Sequence, residues 1–446
     1  MDIACVKRSL VEQIQILSAQ PELYCRSPGR DFSRKRKLSF CRLVSFLLNM
    51  QGGSLTNEII DFFCCGDLSV SPSAVVQMRD KLKAEALRAL LLGFNQRMEK
   101  LDALRPENGL RLLAVDGSEI QIPTNPEDKE SFFPGANGQA PYNMIRLNAM
   151  YDLVNNTYTD AIIQKRMNWN EGKALVEMVE SSAIKSALVI ADRGYESYNV
   201  MAHIRERGWF YLIRVKNKDN GIVRGLDLPD DDEFDLDISL NMTRSQTNAV
   251  KEMCRNKNCY RYVPPNTKFD YLPSLNGVYG SEPRFYTLPF RILRIRISED
   301  LVETIVTNLP RTNYSPSKIK ELYAMRWGIE TSFRSLKHTV GMLHFHSKKA
   351  ECIFQEVYAA LVIYNFTEWI TAQVVIRNGD RKHTYKANFS VAVHVCRKLL
   401  SGNLHPPDVE SLIARYIIPI RPNRKFERRL VKHKGRYSIN FTYRIA

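Results

Sequence analysis

"SALVIADRGY", residues 186–195, is the stretch whose reading decides the fold. An unbroken apolar run that stops abruptly at Asp192 and Arg193 is the pattern of a strand buried on both faces. Such a strand needs helices on either side of it in the chain. "NEGKALVEMVESSAI" (170–184) before it and "YNVMAHIRERG" (198–208) after it have apolar residues at helical spacing. "WFYLIRVK" (209–216) then reads as another strand. Upstream, "LRLLAVDGSEIQIP" (110–123) reads as a strand, a Gly-Ser turn and a short second strand. "MIRLNAMYDLVNNTYTDAIIQKR" (144–166) reads as two more, with Asn155–Asn156 as the hairpin turn.

Three strands (the two pieces of 110–123 counted as one), helix, strand, helix, strand predicts a mixed α/β sheet, in the order of ribonuclease H-like folds. Residues 217–310 interrupt it with an acidic run, "LDLPDDDEFDLDISL" (226–240), then a Pro- and Gly-punctuated region closed by strand-like "FRILRIRI" and "ETIVTNLP". This is read as a mostly β insertion with the acidic run as a solvated loop. The chain divides accordingly: a helical domain (1–105), a first part of the core (106–216), the insertion (217–310), a second part of the core (311–370) and a C-terminal region with a basic tail (371–446).

In 1–105, helices are expected over 38–50, 54–63 and 71–94, the last with Ser71 as N-cap and Pro72 in its first turn. Short helices joined by tight turns suit a helix-turn-helix arrangement, so 1–105 is expected to be a helical DNA-binding domain. Seven basic residues and one acid lie in 26–42. They suit a phosphate-binding surface or, more blandly, a solvated loop on a small bundle. At the other end, "IFQEVYAALVIYNFTEWITAQVVI" (353–376) reads as a core helix interrupted by Glu356 and Glu368. The segment 421–436 holds eight basic residues against Glu427 alone, a natural phosphate-binding arm.

The 446 residues carry 64 Lys+Arg against 48 Asp+Glu, a formal charge of +16, which favours a polyanionic partner. Nine cysteines lie scattered, apart from Cys64–Cys65, without the spacing of a zinc site. His344 and His346 lack neighbouring ligands and read as loop residues. No signal peptide or membrane-length apolar run is evident, so a cytoplasmic protein without membrane contact is expected.

"YAMRWGIETSFRSLK" (323–337) puts one acid among cations and aromatics on a helix expected from Ser315 to about Gly341. At roughly 100° per residue, Tyr323, Arg326, Trp327, Glu330, Arg334 and Lys337 form one stripe. It borders the apolar face of Leu322, Ile329, Phe333, Leu336 and Val340 instead of opposing it, unlike an ordinary solvated charge face.

The spacing of Tyr323, Arg326, Glu330 and Lys337 is similar to the Y-R-E-K motif of DDE transposases of the insertion-sequence-4 type. "VDGSEI" (115–120) and "ADRGY" (191–195) resemble that family's two aspartate motifs, and the β insertion stands where the family carries one. The resemblance spans roughly 110–345.

It implies that Asp116, Asp192 and Glu330 are a catalytic triad holding two Mg2+ ions, or Mn2+ in their place. Hard cations choose carboxylate oxygens, and phosphodiester cleavage needs both an activated nucleophile and a stabilised leaving oxygen. Singly, an Asp at a strand end is an ordinary turn residue. The resemblance makes Tyr323, Arg326 and Lys337 DNA contacts, and Trp327 a base-stacking residue or one packed on the insertion. Arg193 and Arg214 also face DNA in this reading, while Arg334 has no motif counterpart. The implied activity is cut-and-paste transposition by a homodimer on double-stranded DNA, from terminal inverted repeats through a hairpin intermediate to a target. The other readings are a non-cleaving DNA-binding relative and a nuclease without strand transfer.

Overall fold

The structure is a computed structural model that describes residues 1–63, 70–101, 104–135, 140–216, 221–273, 284–298, 301–376 and 383–420. The Cys64–Cys65 pair and the basic 421–446 tail lie outside the described residues.

The N-terminal helices are α1 (Ile3–Ser18), α2 (Phe40–Asn49), α3 (Leu55–Phe63), α4 (Pro72–Arg79) and α5 (Glu85–Lys100). Ser71 caps α4, its hydroxyl accepting the Ala74 N–H at 3.2 Å, as the sequence suggests. The single helix expected over 71–94 is instead two. Between them Lys83 N–H donates to the Tyr24 carbonyl at 2.9 Å and Ala84 N–H to Glu351 at 2.7 Å. Long-range bonds thus claim backbone groups that a continuous helix would use itself.

The core follows: β1 (Arg111–Ile122), β2 (Phe132–Phe133), β3 (Tyr142–Asp152), β4 (Thr157–Lys165), α6 (Glu171–Ser181), β5 (Ala187–Ala191), α7 (Tyr198–Glu206) and β6 (Phe210–Val215). The β3–β4 turn falls at Asn155–Asn156, Asn156 taking φ 55°. No turn interrupts β1 at Gly117-Ser118: it pairs with β3 without a break from Leu113↔Asp152 to Ile122↔Asn143. Pairing along the whole strand overrides the local turn preference of Gly-Ser.

β7 (Phe234–Thr243), α8 (Asn248–Met253), β8 (Tyr260–Tyr262), β9 (Tyr286–Ser298) and β10 (Leu301–Thr307) come next. They continue the same sheet, since β10 pairs antiparallel with β6. The ten-stranded order is β2-β3-β1-β5-β6-β10-β9-β7-β8, with β4 on β3. The acidic run is therefore partly strand: Asp235 takes a two-pronged grip from buried Arg291 at 2.7 and 2.6 Å.

The chain ends in α9 (Pro316–Ala324), α10 (Trp327–Arg334), α11 (Ala350–Thr371), β11 (Tyr385–Ala387), α12 (Phe389–Leu400), α13 (Pro406–Arg415) and β12 (Ile417–Pro419). Among the described residues no helix is long and apolar enough to cross a membrane. α11 is core, as expected, buried on nearly every side.

Alternation along the strands sorts the core into two layers. Leu113, Val115, Val189 and Ala191 pack on α6 and α7 through Leu175, Met178 and Val200. On the other face, Ala114 and Ile120 join α10 and α11, while Leu188 and Ile190 meet Ile319 and Leu322 of α9. The apolar residues of α1, α2 and α5 are continuous with the α11 side. Arg79 also ties α4 to α11, donating to Gln355 at 3.2 Å, the Cys352 carbonyl at 2.7 Å and Glu356 at 2.7 Å.

Candidate active site

β1 and β5 run parallel, with Val115 opposite Ala191. Asp116 and Asp192 are the next residues of each strand, so they stand side by side at about one strand spacing, ~4.8 Å. Val115 and Ala191 face α6 and α7, so alternation turns both aspartates toward α9 and α10. Asp192 keeps extended backbone (φ −85°, ψ −176°) and then starts a tight turn, accepting the Gly194 N–H at 2.8 Å. Asp116 accepts the N–H of Gly117 at 2.8 Å.

Glu330 approaches from α10. Its carboxylate accepts a bond from Arg326 at 2.9 Å. Asp116 registers all of these groups: its carboxyl is pushed up to about 6 by burial, with the charges of Asp192 and Glu330 adding and the Gly117 N–H and Arg326 opposing. The three predicted acids therefore lie within one electrostatic neighbourhood.

The expected single helix is broken. Arg326 N–H bonds to Tyr323 and Ile329 N–H to Arg326, both three residues back, so the chain tightens between α9 and α10. Residues Ser335–Thr339 then widen into a π turn. The stripe drawn on an ideal wheel is accordingly divided. Tyr323 and Arg326 are buried (6% exposed each), whereas the Trp327 side of the turn is half open to solvent at 50%. The Arg326 guanidinium lies over the Trp327 ring at 5.1 Å. Burial pushes the Tyr323 hydroxyl up, opposed by Arg214 and Arg326 and reinforced by Glu303 and Asp192.

Lys337 donates to the Glu119 carbonyl at 3.0 Å, and burial lowers its pKa against the pull of Glu119. Arg214, on β6, pairs with Glu303 at 2.7 Å and lies in the field of Tyr323 and Asp192. Arg193 is exposed in the turn after Asp192, and Arg334 is exposed on α10.

The donor set suits divalent cations in kind, since it offers carboxylate oxygens, one of them on a buried acid reluctant to ionise. Among the described residues, however, no group of three His, Cys, Asp or Glu side chains is gathered closely enough to hold a metal ion. The Tyr323 hydroxyl and the Nε groups of Arg326 and Arg214 are buried without a protein partner. Orphaned donors of that kind are complementary to phosphate oxygens.

Three neighbours went unread in the sequence. Glu171 opens α6, Arg146 lies on β3 and Tyr195 follows the second aspartate; Glu171 and Arg146 stand against Gly117, Glu171 also against Gly194, and Tyr195 lies in the field of both aspartates. The glycines at 117 and 194 were their one trace in the sequence.

The site is thus a mixed sheet carrying two adjacent aspartates, Asp116 within β1 and Asp192 just past the end of β5, under a glutamate-bearing helix. The family model for the transposase DDE domain matches residues 107–366, more than half the chain, and the chain belongs to that family. Among curated relatives, the transposase InsG for insertion sequence element IS4 of Escherichia coli (strain K12) is 24% identical over 309 residues. That match takes in 67% of this chain and 61% of the relative, so the chain spans about three fifths of it. The transposase for insertion sequence element IS231B of Bacillus thuringiensis subsp. berliner is 22% identical over 441 residues, covering 89% of this chain and 88% of that one. Among solved structures, a piggyBac transposase synaptic complex with hairpin DNA aligns over 95% of this chain and 87% of its own. The identity there is 10% and the TM-score 0.41.

Proposed function

We propose that this protein is a cut-and-paste DNA transposase with a ribonuclease H-like core, in which Asp116, Asp192 and Glu330 hold two Mg2+ ions, or Mn2+. When bound, such a pair activates the attacking oxygen and stabilises the departing one. The side-by-side placement of Asp116 and Asp192, with Glu330 in the same electrostatic field, is the observation that carries the reading.

The remaining roles follow from where the groups stand. Arg326 holds Glu330 and offers its free Nε to a phosphate. The Tyr323 hydroxyl and Arg214 offer further buried donors beside Asp192. Lys337, anchored on Glu119, supplies a point charge beyond Glu330. The half-exposed Trp327 ring is a platform for a base turned out of the stack, as a hairpin intermediate requires. Arg193 lies open to the DNA backbone. The N-terminal helices with their basic loop recognise the inverted repeats, and two copies pair the ends on DNA before joining them to target DNA, in the cytoplasm.

Linear DNA carrying the ends of the element, incubated with the purified protein and Mg2+, tests this. Cutting at the ends is expected, with Asp192→Ala still shifting the DNA on a gel but producing no cleavage above an EDTA control. Equal cutting by Asp192→Ala would overturn the assignment.

A further inference from the structure

Both aspartate motifs carry a glycine just after the acid, Gly117 after Asp116 and Gly194 two residues beyond Asp192. Neither has the positive φ that would call for glycine on conformational grounds. Space explains them. A methyl group on Gly117 would stand 2.8 Å from Oε1 of Glu171 and 2.6 Å from Nε of Arg146. On Gly194 it would stand 2.7 Å from Oε2 of the same glutamate and 3.0 Å from Oδ1 of Asp192. One carboxylate thus sets one oxygen against each of the two segments that carry the aspartates. It does so from the α6 side of the sheet, while Asp116 and Asp192 turn to the α10 side.

Glu171 is itself fixed. Asn170 caps α6 by accepting the Lys173 N–H at 2.8 Å, so Glu171 opens the first turn, where a negative charge is favoured. Arg146 grips its carboxylate, reaches Glu119 at 3.3 Å and lies over the Trp169 ring at 5.7 Å. The adjacent Tyr195 is buried (1% exposed), its hydroxyl without a protein partner and in the field of Glu171, Asp116, Arg146 and Asp192.

We infer that Glu171, clamped by Arg146, is a positioning residue that fixes from behind the spacing of Asp116 and Asp192. The inference rests on the reading of those aspartates as the metal-holding pair. Partners one step removed from a metal site set ligand orientation, and their loss costs roughly 10–100-fold in metal affinity or activity.

The test compares wild type, Glu171→Ala and Glu171→Gln, each bound to end DNA, by Mn2+ titration read by electron paramagnetic resonance. End cleavage against Mg2+ concentration and the urea unfolding midpoint are followed in parallel. Expected for Glu171→Ala are unchanged end binding, Mn2+ affinity weaker by roughly 10–100-fold and a higher Mg2+ requirement. Glu171→Gln, which keeps the shape but loses the charge held by Arg146, should fall between. Unaltered Mn2+ titration in Glu171→Ala, or loss of end binding together with a lowered urea midpoint in both variants, would overturn the positioning role. A wild-type complex that binds no Mn2+ and cuts nothing would instead sink the catalytic reading beneath it.

Discussion

Asp116→Asn should stabilise the metal-free protein while abolishing cleavage. The carboxyl sits at about 6 instead of its ordinary 3.8, raised by burial first and by Asp192 and Glu330 after it. At about 1.36 kcal/mol for each tenfold in proton affinity, ionising Asp116 costs the folded state roughly 3 kcal/mol near neutrality. Solvent reaching this partly exposed group trims that to an order of 1–3 kcal/mol. The sign follows from proton counting. Between pH 3.8 and about 6 the folded state binds more protons than the unfolded one, so stability falls as pH rises through that window.

Asparagine has nothing to ionise and can still accept the Gly117 N–H. Its advantage should be full at pH 8, roughly half as large at pH 5, and absent below the ordinary carboxylate range. Excess Mg2+ should shrink the gap by stabilising wild type alone. Urea unfolding in EDTA at pH 8 and pH 5, repeated with Mg2+ at pH 8, measures each of these. An Asp116→Asn protein no more stable than wild type at pH 8, or ahead by the same margin at both pH values, would refute the crowded-carboxylate argument.

Two further outcomes follow from the packing. Arg79→Met removes the bonds to Gln355, Cys352 and Glu356 and takes half the support from the buried Glu356 carboxylate, which Arg79 and His346 together hold down at about 2 against burial. The expected loss is roughly 3–5 kcal/mol in urea unfolding, and a loss under about 1 kcal/mol would contradict it. Trp327→Ala removes a half-exposed ring, so stability should hold within about 0.5 kcal/mol. End-DNA cleavage should nonetheless fall, by the roughly 1–3 kcal/mol that a base–aromatic stack is worth. An undiminished cleavage rate would remove Trp327 from the DNA-contacting set.

How much of this was legible in the sequence depended on the range of the forces involved. β5, the Asn155–Asn156 turn, the Ser71 and Ser315 caps and the buried α11 all follow from local pattern and were readable. Features set by partners far along the chain were not. Gly117-Ser118 resembles a turn until β3 pairs with it. The 71–94 helix looks continuous until Tyr24 and Glu351 take up its backbone groups. The acidic run passes for a solvated loop until Arg291 and Arg311 claim Asp235 and Asp237. Motif spacing singled out Asp116, Asp192 and Glu330 as candidates, but Glu171 and Arg146 belong to no motif and come up against Gly117 only because α6 and β3 pack together there.

The broken helix explains why an acid sits among so many cations at 323–337. On an unbroken helix Tyr323 and Glu330 would share one face and serve one place. A tightened turn advances roughly 20° more per residue than an α-helix, so about four such residues turn Glu330 by something near 80° relative to Tyr323. Tyr323 is thereby left beside Arg214 and in the field of Asp192, while Glu330 comes into the field of Asp116. Arg326, at the break, lies over the Tyr323 ring at 5.9 Å and bonds Glu330. One short segment thus addresses both strands: the tyrosine side faces β5 and β6 with donors, and the glutamate side faces β1 with an acceptor. That division suits the proposed contact with a phosphate chain, donors on one flank and a cation-holding acid on the other, whereas a surface ion-pair cluster has no use for it.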